Sequence, residues 1–532
     1  MIHLHLSDRY GTKWTRSPTA AVRGYAFWRG RLLEGESLAD WVALPPTRAD
    51  WAESLREANG SFQIVYREGD RLWAAVDRVR SMPLFYAVKD GSFFMSDDAY
   101  WVRDHASDSM MDDVAVAEFN SAHFVTGRDT LYPGVKQLQA GEALQLGSGP
   151  DGVQVDLLRY YRYVHHDLLD EDAATFAVRN AEMYRGVAQR LIESVNGRTI
   201  VIPLSGGYDS RSVALMLKAH GYDRVICYSY GQDAAPNAEA AISKEVAARL
   251  GYPWLFVPYT NDMWHQLFES DERRAFDRFA DNLSSLSHIQ DWPAVRELRL
   301  EGRLPDDSII VPGHTGDFLK GGMTRPLQRW VRGGGAEDML RAIQHEYYPN
   351  FDGAGPKGRN LWPRVAAKTL SAAGDPFDGS VDAVLDACYE WVWRERLAKY
   401  VVNSVRVYEF FGYEWRLPLW DSEMLALWER VPLTRDGTAL YEAHVIGEGA
   451  GFGLKPTANP PRPLGGRLRD ASRALRVEGF ARRLKNRRDY HRNQLALFGV
   501  IPPDRFAEYA SLYAPFHFYH ARTRLAEIQN GE

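Results

Sequence analysis

The sequence predicts an α/β plus α+β chain of two domains, a layered, β-rich first part and a second part built on a parallel sheet. Three observations support this. Short apolar or alternating runs crowd the stretch from Trp51 to Val155, strands and helices alternate from Thr199 onward, and a double-glycine turn sits where the first of those strands meets a helix. At 532 residues the chain is too long for one ordinary core. Its 45% hydrophobic and 25% charged residues match a folded enzyme and exclude a disordered or membrane-spanning class. With 64 basic against 70 acidic residues there is no overall field to draw nucleic acid, so no nucleic-acid partner is expected. Cys227 and Cys388 alone support neither a disulfide framework nor a zinc site, and a cytoplasmic location is expected. Met1 to Gly11 lacks the apolar region of a secretory signal, and no later run has the length of a membrane span.

In chain order, SFQIVY, LWAAVD, PLFYAV and SFFMSDD read as strands separated by turns. A hairpin follows around Leu138 to Val155, with Gly147 to Gly152 as its turn. The domain boundary is placed near His165, giving domains of residues 1–165 and 166–532. Met183, Val187, Leu191 and Val195 recur every fourth residue and mark a helix ending at Asn196-Gly197. Then come a strand (Thr199 to Leu204), a Ser-Gly-Gly turn, a helix carrying Val213 to Leu217, a strand (Val225 to Tyr228), a helix (Asn237 to Leu250) and a strand (Trp254 to Val257). A fourth strand, Ile309 to Pro312, runs into another glycine-bearing turn, and the rest is mostly helical.

The chemistry concentrates at Leu204-Ser205-Gly206-Gly207-Tyr208-Asp209-Ser210. Glycines allow close backbone approach to a phosphate, and the following helix N-terminus adds positive potential. Asp209 would repel a bare phosphate, so its presence there makes sense if it holds Mg²⁺ on a nucleotide. A plain glycine turn capped by Asp is the bland alternative. Gly313-His314-Thr315-Gly316-Asp317, with Gly321-Gly322, would face the same crevice from the next strand end, and Asp317 could supply a second carboxylate to the metal.

Leu204 to Ser210 resembles the PP-loop, S-G-G-x-D-S, of the asparagine synthetase superfamily. Gly313 to Gly322 is similar to that family's pyrophosphate-side loop, of which only the glycines and Asp317 are kept. Arg416, Pro418 and Asp421 resemble its Arg-x-Pro-x-x-Asp segment, and Lys455 stands where the family has a catalytic lysine. DRVRSMPLFY (Asp77 to Tyr86) and FFMSD (Phe93 to Asp97) are similar to its glutaminase domain. In motif spelling, SGGYDSR, SHIQDW and PGHTGDF look most like the asparagine-synthetase-like amidotransferases of O-antigen and capsule clusters. The resemblance implies an Ntn-hydrolase-like layered first domain and a PP-loop ATP-pyrophosphatase second domain. It also implies ATP and Mg²⁺, a small carboxylate substrate activated as an acyl-adenylate, and an amine or ammonia donor. Nucleotide binding falls to Leu204, Ser205, Gly206, Gly207, Asp209, Ser210, Ser229 and Gly313, metal binding to Asp209 and Asp317, and catalysis to Lys455 and His314. His314 replaces the family's Glu; it either takes a proton from the amine or hydrogen-bonds the loop.

A class II glutaminase uses an N-terminal cysteine. This sequence begins Met1-Ile2-His3, and Arg23-Gly24-Tyr25 stands where the family grips glutamine with Asn-Gly-Glu, so no glutamine hydrolysis is expected. The expected product is an amide, with uronic acid amidation in surface polysaccharide synthesis as one reading and intramolecular lactam or macrolactam formation as another. A tRNA-adenylating enzyme and a non-catalytic nucleotide binder stay open from other classes, and a homodimer is one possible assembly. Ser284 to Trp292 reads as a polar pocket wall or a solvated helix start, and the basic run Arg467 to Arg488 as an amphipathic helix or a docking patch. His165-His166 reads as a linker pair.

Overall fold

The computed structural model describes residues 1–531 apart from 44–46, 108–109, 150–151, 233–237, 324, 350, 352–355, 374–376, 457–482, 489–499, 511 and 513. The first part is a four-layer α-β-β-α stack. One sheet orders Ile2–His5, Ser92–Ser96, Phe85–Lys89 and Lys136–Gln137. The other runs Gly152–Arg159, Glu142–Gly149, Arg71–Val76, Asn59–Glu68, Ala20–Trp28 and Thr15–Arg16, with Arg31–Glu34 paired to Ala20–Trp28. Alternation along the strands separates the layers. Val65, Ala74 and Val76 meet Tyr86, Phe93 and Met95 between the sheets. The opposite faces, carrying Phe62, Ile64 and Ala75 on one sheet and Phe85 and Ala87 on the other, pack outward under helices.

The second part is a five-stranded parallel sheet in the order Trp254–Tyr259, Val225–Gln232, Ile200–Pro203, Ile309–Ile310 and Glu414–Trp415. The first three crossovers carry helices, as the alternation predicts. Glu414–Trp415 is an addition that the sequence reading did not contain. Ile200–Pro203 pairs with Val225–Gln232 on one side and Ile309–Ile310 on the other, so chain direction across the sheet reverses beside it. In open α/β sheets that position forms a crevice outside the strand ends.

The two parts share one apolar core, which runs from Val79 to Ile528. Asn59 donates to Asp421 (2.9 Å) and accepts from Ser422 N, while Arg190 grips Asp421 with two 2.8 Å bonds. Arg416 donates to Ser194 O at 2.9 Å. The Arg-x-Pro-x-x-Asp segment therefore ties the parts together. His165 is not a free linker residue, because its ring bonds Asp386 at 2.7 Å and packs edge-on against Tyr389. Among the described residues, no helix is long and apolar enough to cross a membrane.

Candidate functional site

The helix Tyr208–Ala219 starts on Gly207, which has no side chain to cap it, and the helix N-terminus adds positive potential at the loop. The loop before it is ordered by its own hydroxyls. Ser205 N donates to Ser210 Oγ (3.0 Å), the two hydroxyls lie 3.1 Å apart, and Gly207 N donates to Ser205 Oγ (3.2 Å). Leu204 is buried, and its carbonyl accepts from Ser229, whose hydroxyl also meets Ser243 Oγ at 2.6 Å. Ser229 thus braces the cradle from behind.

The second loop closes directly on the first. A Cβ on Gly313 would fall 2.3 Å from Ser210 N, and one on Gly316 would fall 2.4 Å from Asp209 Oδ1 and 2.5 Å from the Tyr441 hydroxyl. Only glycine permits this approach. Asp317 N donates to the Asp209 carboxylate at 3.1 Å, so both predicted metal-binding acids meet at the mouth of the cradle. Burial pushes the Asp209 carboxyl up to about 6 against the pull of Lys320, with the Asp317 charge raising it further. The ammonium of Lys320 lies between the acids, 3.2 Å from Asp209 Oδ1 and 2.8 Å from Asp317 Oδ1. The sequence reading missed Lys320 and Tyr441; the i,i+3 spacing of Asp317 and Lys320 on a short helix was the available signal for the former.

On the side away from the cradle, His314 adjoins a cluster of histidines around Tyr400. Its Nε2 is 3.3 Å from Ser404 Oγ, and that hydroxyl donates to Val401 O at 2.7 Å, so the imidazole donates from Nε2. Its Nδ1 is buried with no partner among the described residues. Beyond it, His288 and His517 approach the Tyr400 ring at 5.7 and 6.3 Å, and His123 approaches it at 5.7 Å. Arg396 lies 4.3 Å over the same ring. Tyr400 and Arg396 stand on Val392–Val401, which is wound as a π-helix, a geometry frequent at functional sites. Burial pushes His288 and His314 down to about 4 and His517 to about 3, and all three are half-buried.

Neutral imidazoles set a pH dependence. The unfolded chain takes up protons near the ordinary histidine value of 6.5, whereas the folded chain does not until about 4. Their contribution to stability is therefore complete above pH 6.5 and is lost as pH falls toward 4. The double variant His288→Gln/His517→Gln is expected to lose less of its Tm than the parent between pH 7 and 4, as read by thermal unfolding across that range.

The other expected residues divide. Lys455 is exposed, and its carbonyl accepts from Arg211 of the cradle helix at 3.4 Å. The Ser284 to Trp292 segment is mainly structural. Ser287 donates to Asp277, and Asp291 accepts from Tyr228 and Tyr408 (2.8 Å each), while His288 packs against the Tyr400 ring. In the basic run, Arg467, Arg469, Arg473, Arg476 and Arg482 lie outside the described residues, while Arg483, Lys485, Arg487 and Arg488 are exposed.

In the first part, buried Arg23 pairs with Asp97 (3.3 Å), which also accepts from Trp14 Nε1 (3.0 Å) and Ser7 N (2.9 Å). Both cysteines lie buried in the second part, where burial pushes each thiol up to about 12.

A phosphate cradle at the switch point of a parallel sheet, with two acids at its mouth, defines a nucleotide-binding domain of the PP-loop class. The asparagine synthase family model matches residues 182–438, and the glutamine amidotransferase domain model matches residues 48–160. The chain belongs to the asparagine synthetase superfamily. Carboxyethyl-arginine β-lactam synthase of Streptomyces clavuligerus is 32% identical over 208 residues, 38% of this chain and 37% of that one. The tRNA-specific 2-thiouridylase MnmA of Lactobacillus helveticus (strain DPC 4571) is 32% identical over 82 residues, 14% of this chain and 22% of that one. The matches thus span well under half the length of either relative. Among solved structures, the NH3-dependent NAD synthetase from Campylobacter jejuni subsp. jejuni NCTC 11168 aligns at 15% identity with a TM-score of 0.20, over 28% of this chain and 61% of that one.

Proposed function

We propose that this protein is an ATP-dependent, AMP-forming amide synthetase. The observation that carries the reading is the closure of the Gly313–Asp317 loop onto the cradle, which brings Asp209 and Asp317 together where a nucleotide's phosphates would lie. Both acids offer an oxygen to one point, now taken by the Lys320 ammonium, and this geometry suits Mg²⁺ whose remaining ligands come from phosphate. Bound there, Mg²⁺ would neutralise phosphate charge.

The loop N–H groups and the hydroxyls of Ser205 and Ser210 hold the pyrophosphate portion while the substrate carboxylate attacks the α-phosphate, giving an acyl-adenylate. An amine or ammonia then displaces AMP at the acyl carbon. Lys455 supplies positive charge to the pyrophosphate or the tetrahedral intermediate. His314 hydrogen-bonds and orients the reacting groups, because its free nitrogen faces the interior and its pKa is too low for an effective base at neutral pH. His314→Ala should therefore cost about tenfold in kcat, rather than the ~10²–10⁴-fold expected of a general base. Single-turnover kinetics with the substrate identified below would measure this.

The cluster of histidines and Arg396 around Tyr400 supports a reading of the acid's class. Arg396 is the cation beside these neutral imidazoles, lying over the Tyr400 ring and acting on His288 and His517. This favours a neutral-to-anionic, hydroxyl-bearing acid such as a uronic acid over a cationic one. Likeness to a β-lactam synthase favours a second reading, intramolecular amide formation. We also propose that glutamine is not the direct nitrogen source, on the strength of the Arg23–Asp97 pair and the placement of both cysteines.

Mass spectrometry of reactions with Mg-ATP, a panel of uronic and amino acids, and ammonium, glutamine or no donor tests all three proposals. The expected result is AMP with an amide dependent on ammonium and no glutamate from glutamine. An amide formed without donor selects the intramolecular reading, and ADP in place of AMP would contradict the synthetase reading.

A further inference from the structure

Lys320 stands at the site without a part in the proposed reaction. It follows the short helix Gly316–Leu319, and its carbonyl is held by Thr438 Oγ1 at 3.1 Å, so its side chain starts from an anchored backbone. The ammonium contacts Asp209 (3.2 Å) and Asp317 (2.8 Å) and lies 5.2 Å from the Tyr441 ring centroid. Its side chain is only 11% exposed, and the pair of acids together with burial gives this cation a preformed seat.

Two carboxylates are a sparse donor set for a hard divalent cation, which takes six or more oxygens. Among the described residues, no cluster of three His, Cys, Asp or Glu side chains could hold a metal. An ammonium on both acids removes most of what attraction remains. A nucleotide changes both conditions, because its phosphates supply the missing oxygens and offer Lys320 another anion.

We propose that Lys320 is a tethered counter-ion that keeps the Asp209–Asp317 pair closed to free divalent metal, so that metal enters only with the nucleotide. The ammonium then transfers from the acids to the phosphates. This inference rests on the reading of the two acids as metal ligands, and the experiment separates the two claims.

Mn²⁺ binding is measured by loss of the free-ion EPR signal, with and without the non-cleavable analogue α,β-methylene-ATP, for the wild-type chain, Lys320→Met, Lys320→Arg and Lys320→Met/Asp209→Asn. Thermal unfolding of each variant confirms folding. The expected result is tight Mn²⁺ binding by the wild type and Lys320→Arg only with the analogue. Lys320→Met is expected to bind Mn²⁺ without nucleotide at least about tenfold more tightly than the wild type, a gain that the added Asp209→Asn change removes. If the wild type binds Mn²⁺ with the analogue in an Asp209-dependent way while Lys320→Met gains nothing alone, the gating role is overturned and the metal site stands. Absence of Asp209-dependent binding in every variant overturns both.

Discussion

Asp209→Ala is expected to lower AMP formation by about 10³-fold, equivalent to about 4 kcal/mol of transition-state stabilisation, with little change in Tm. The size follows from position. Asp209 sits in the first turn of the cradle helix, accepts from the backbone of the opposite loop, and shares the Lys320 ammonium with Asp317. Removing the carboxylate takes away one of the two acids that share the Lys320 ammonium and frees the second loop from the first. Asp209→Asn keeps the shape and can still accept from Asp317 N, so it should retain ATP-analogue binding while losing most of the rate. Rates from AMP release, set beside analogue binding by calorimetry, would show the split. Equal loss of binding and rate would place Asp209 in loop structure instead.

The largest stability effect is expected at Arg524, on the C-terminal helix Pro515–Gln529. Its guanidinium is fully buried and bonds Asp281 (2.7 Å), Glu527 (3.1 Å) and the Tyr100 hydroxyl (2.8 Å). Beside it, Arg273 pairs with Asp277 (2.6 Å) and Glu527, and Asp277 accepts from His520 (2.9 Å). This network joins the last helix to Asp271–Asp281 and, through Tyr100, to the first part of the chain. Arg524→Ala takes from the buried Asp281 carboxylate its cationic partner, while Glu527 keeps Arg273, and should cost about 3–5 kcal/mol. Tyr100→Phe removes the hydroxyl that accepts from Arg524 and donates to Asp281, and should cost less, about 1–3 kcal/mol. Denaturant unfolding of both variants measures the difference.

The cradle was legible in the sequence because its signal is local. Apolar residues 200–204, two glycines and a helical period from Val213 follow one another directly. The same holds for the strands from Asn59 to Ser96, whose alternation separates two buried faces. The nine-residue strand Ala20–Trp28 escaped notice because its burial is nearly continuous and Arg23-Gly24 interrupts its pattern. Glu414–Trp415 is a strand only because Ile309–Ile310 lies beside it, and two residues carry no period of their own. The histidine cluster around Tyr400 could not be read for a related reason. His123, His288, His314, Tyr400 and His517 come from five distant segments, and although His314 and the segment of His288 carried signals of their own, nothing in the sequence brings the five together. Lys320 stands one turn beyond Asp317, but its reach to Asp209 depends on the closure of one loop over the other.

The central claim is that a carboxylate attacks the α-phosphate of ATP. It is tested most directly with an ¹⁸O-labelled carboxylic acid that supports turnover, by following the label into the nucleotide product. The account predicts that ¹⁸O appears in AMP, since the acyl oxygen stays on phosphorus when the nitrogen nucleophile displaces it. Label in inorganic phosphate together with ADP would show attack at the γ-phosphate and would contradict the account.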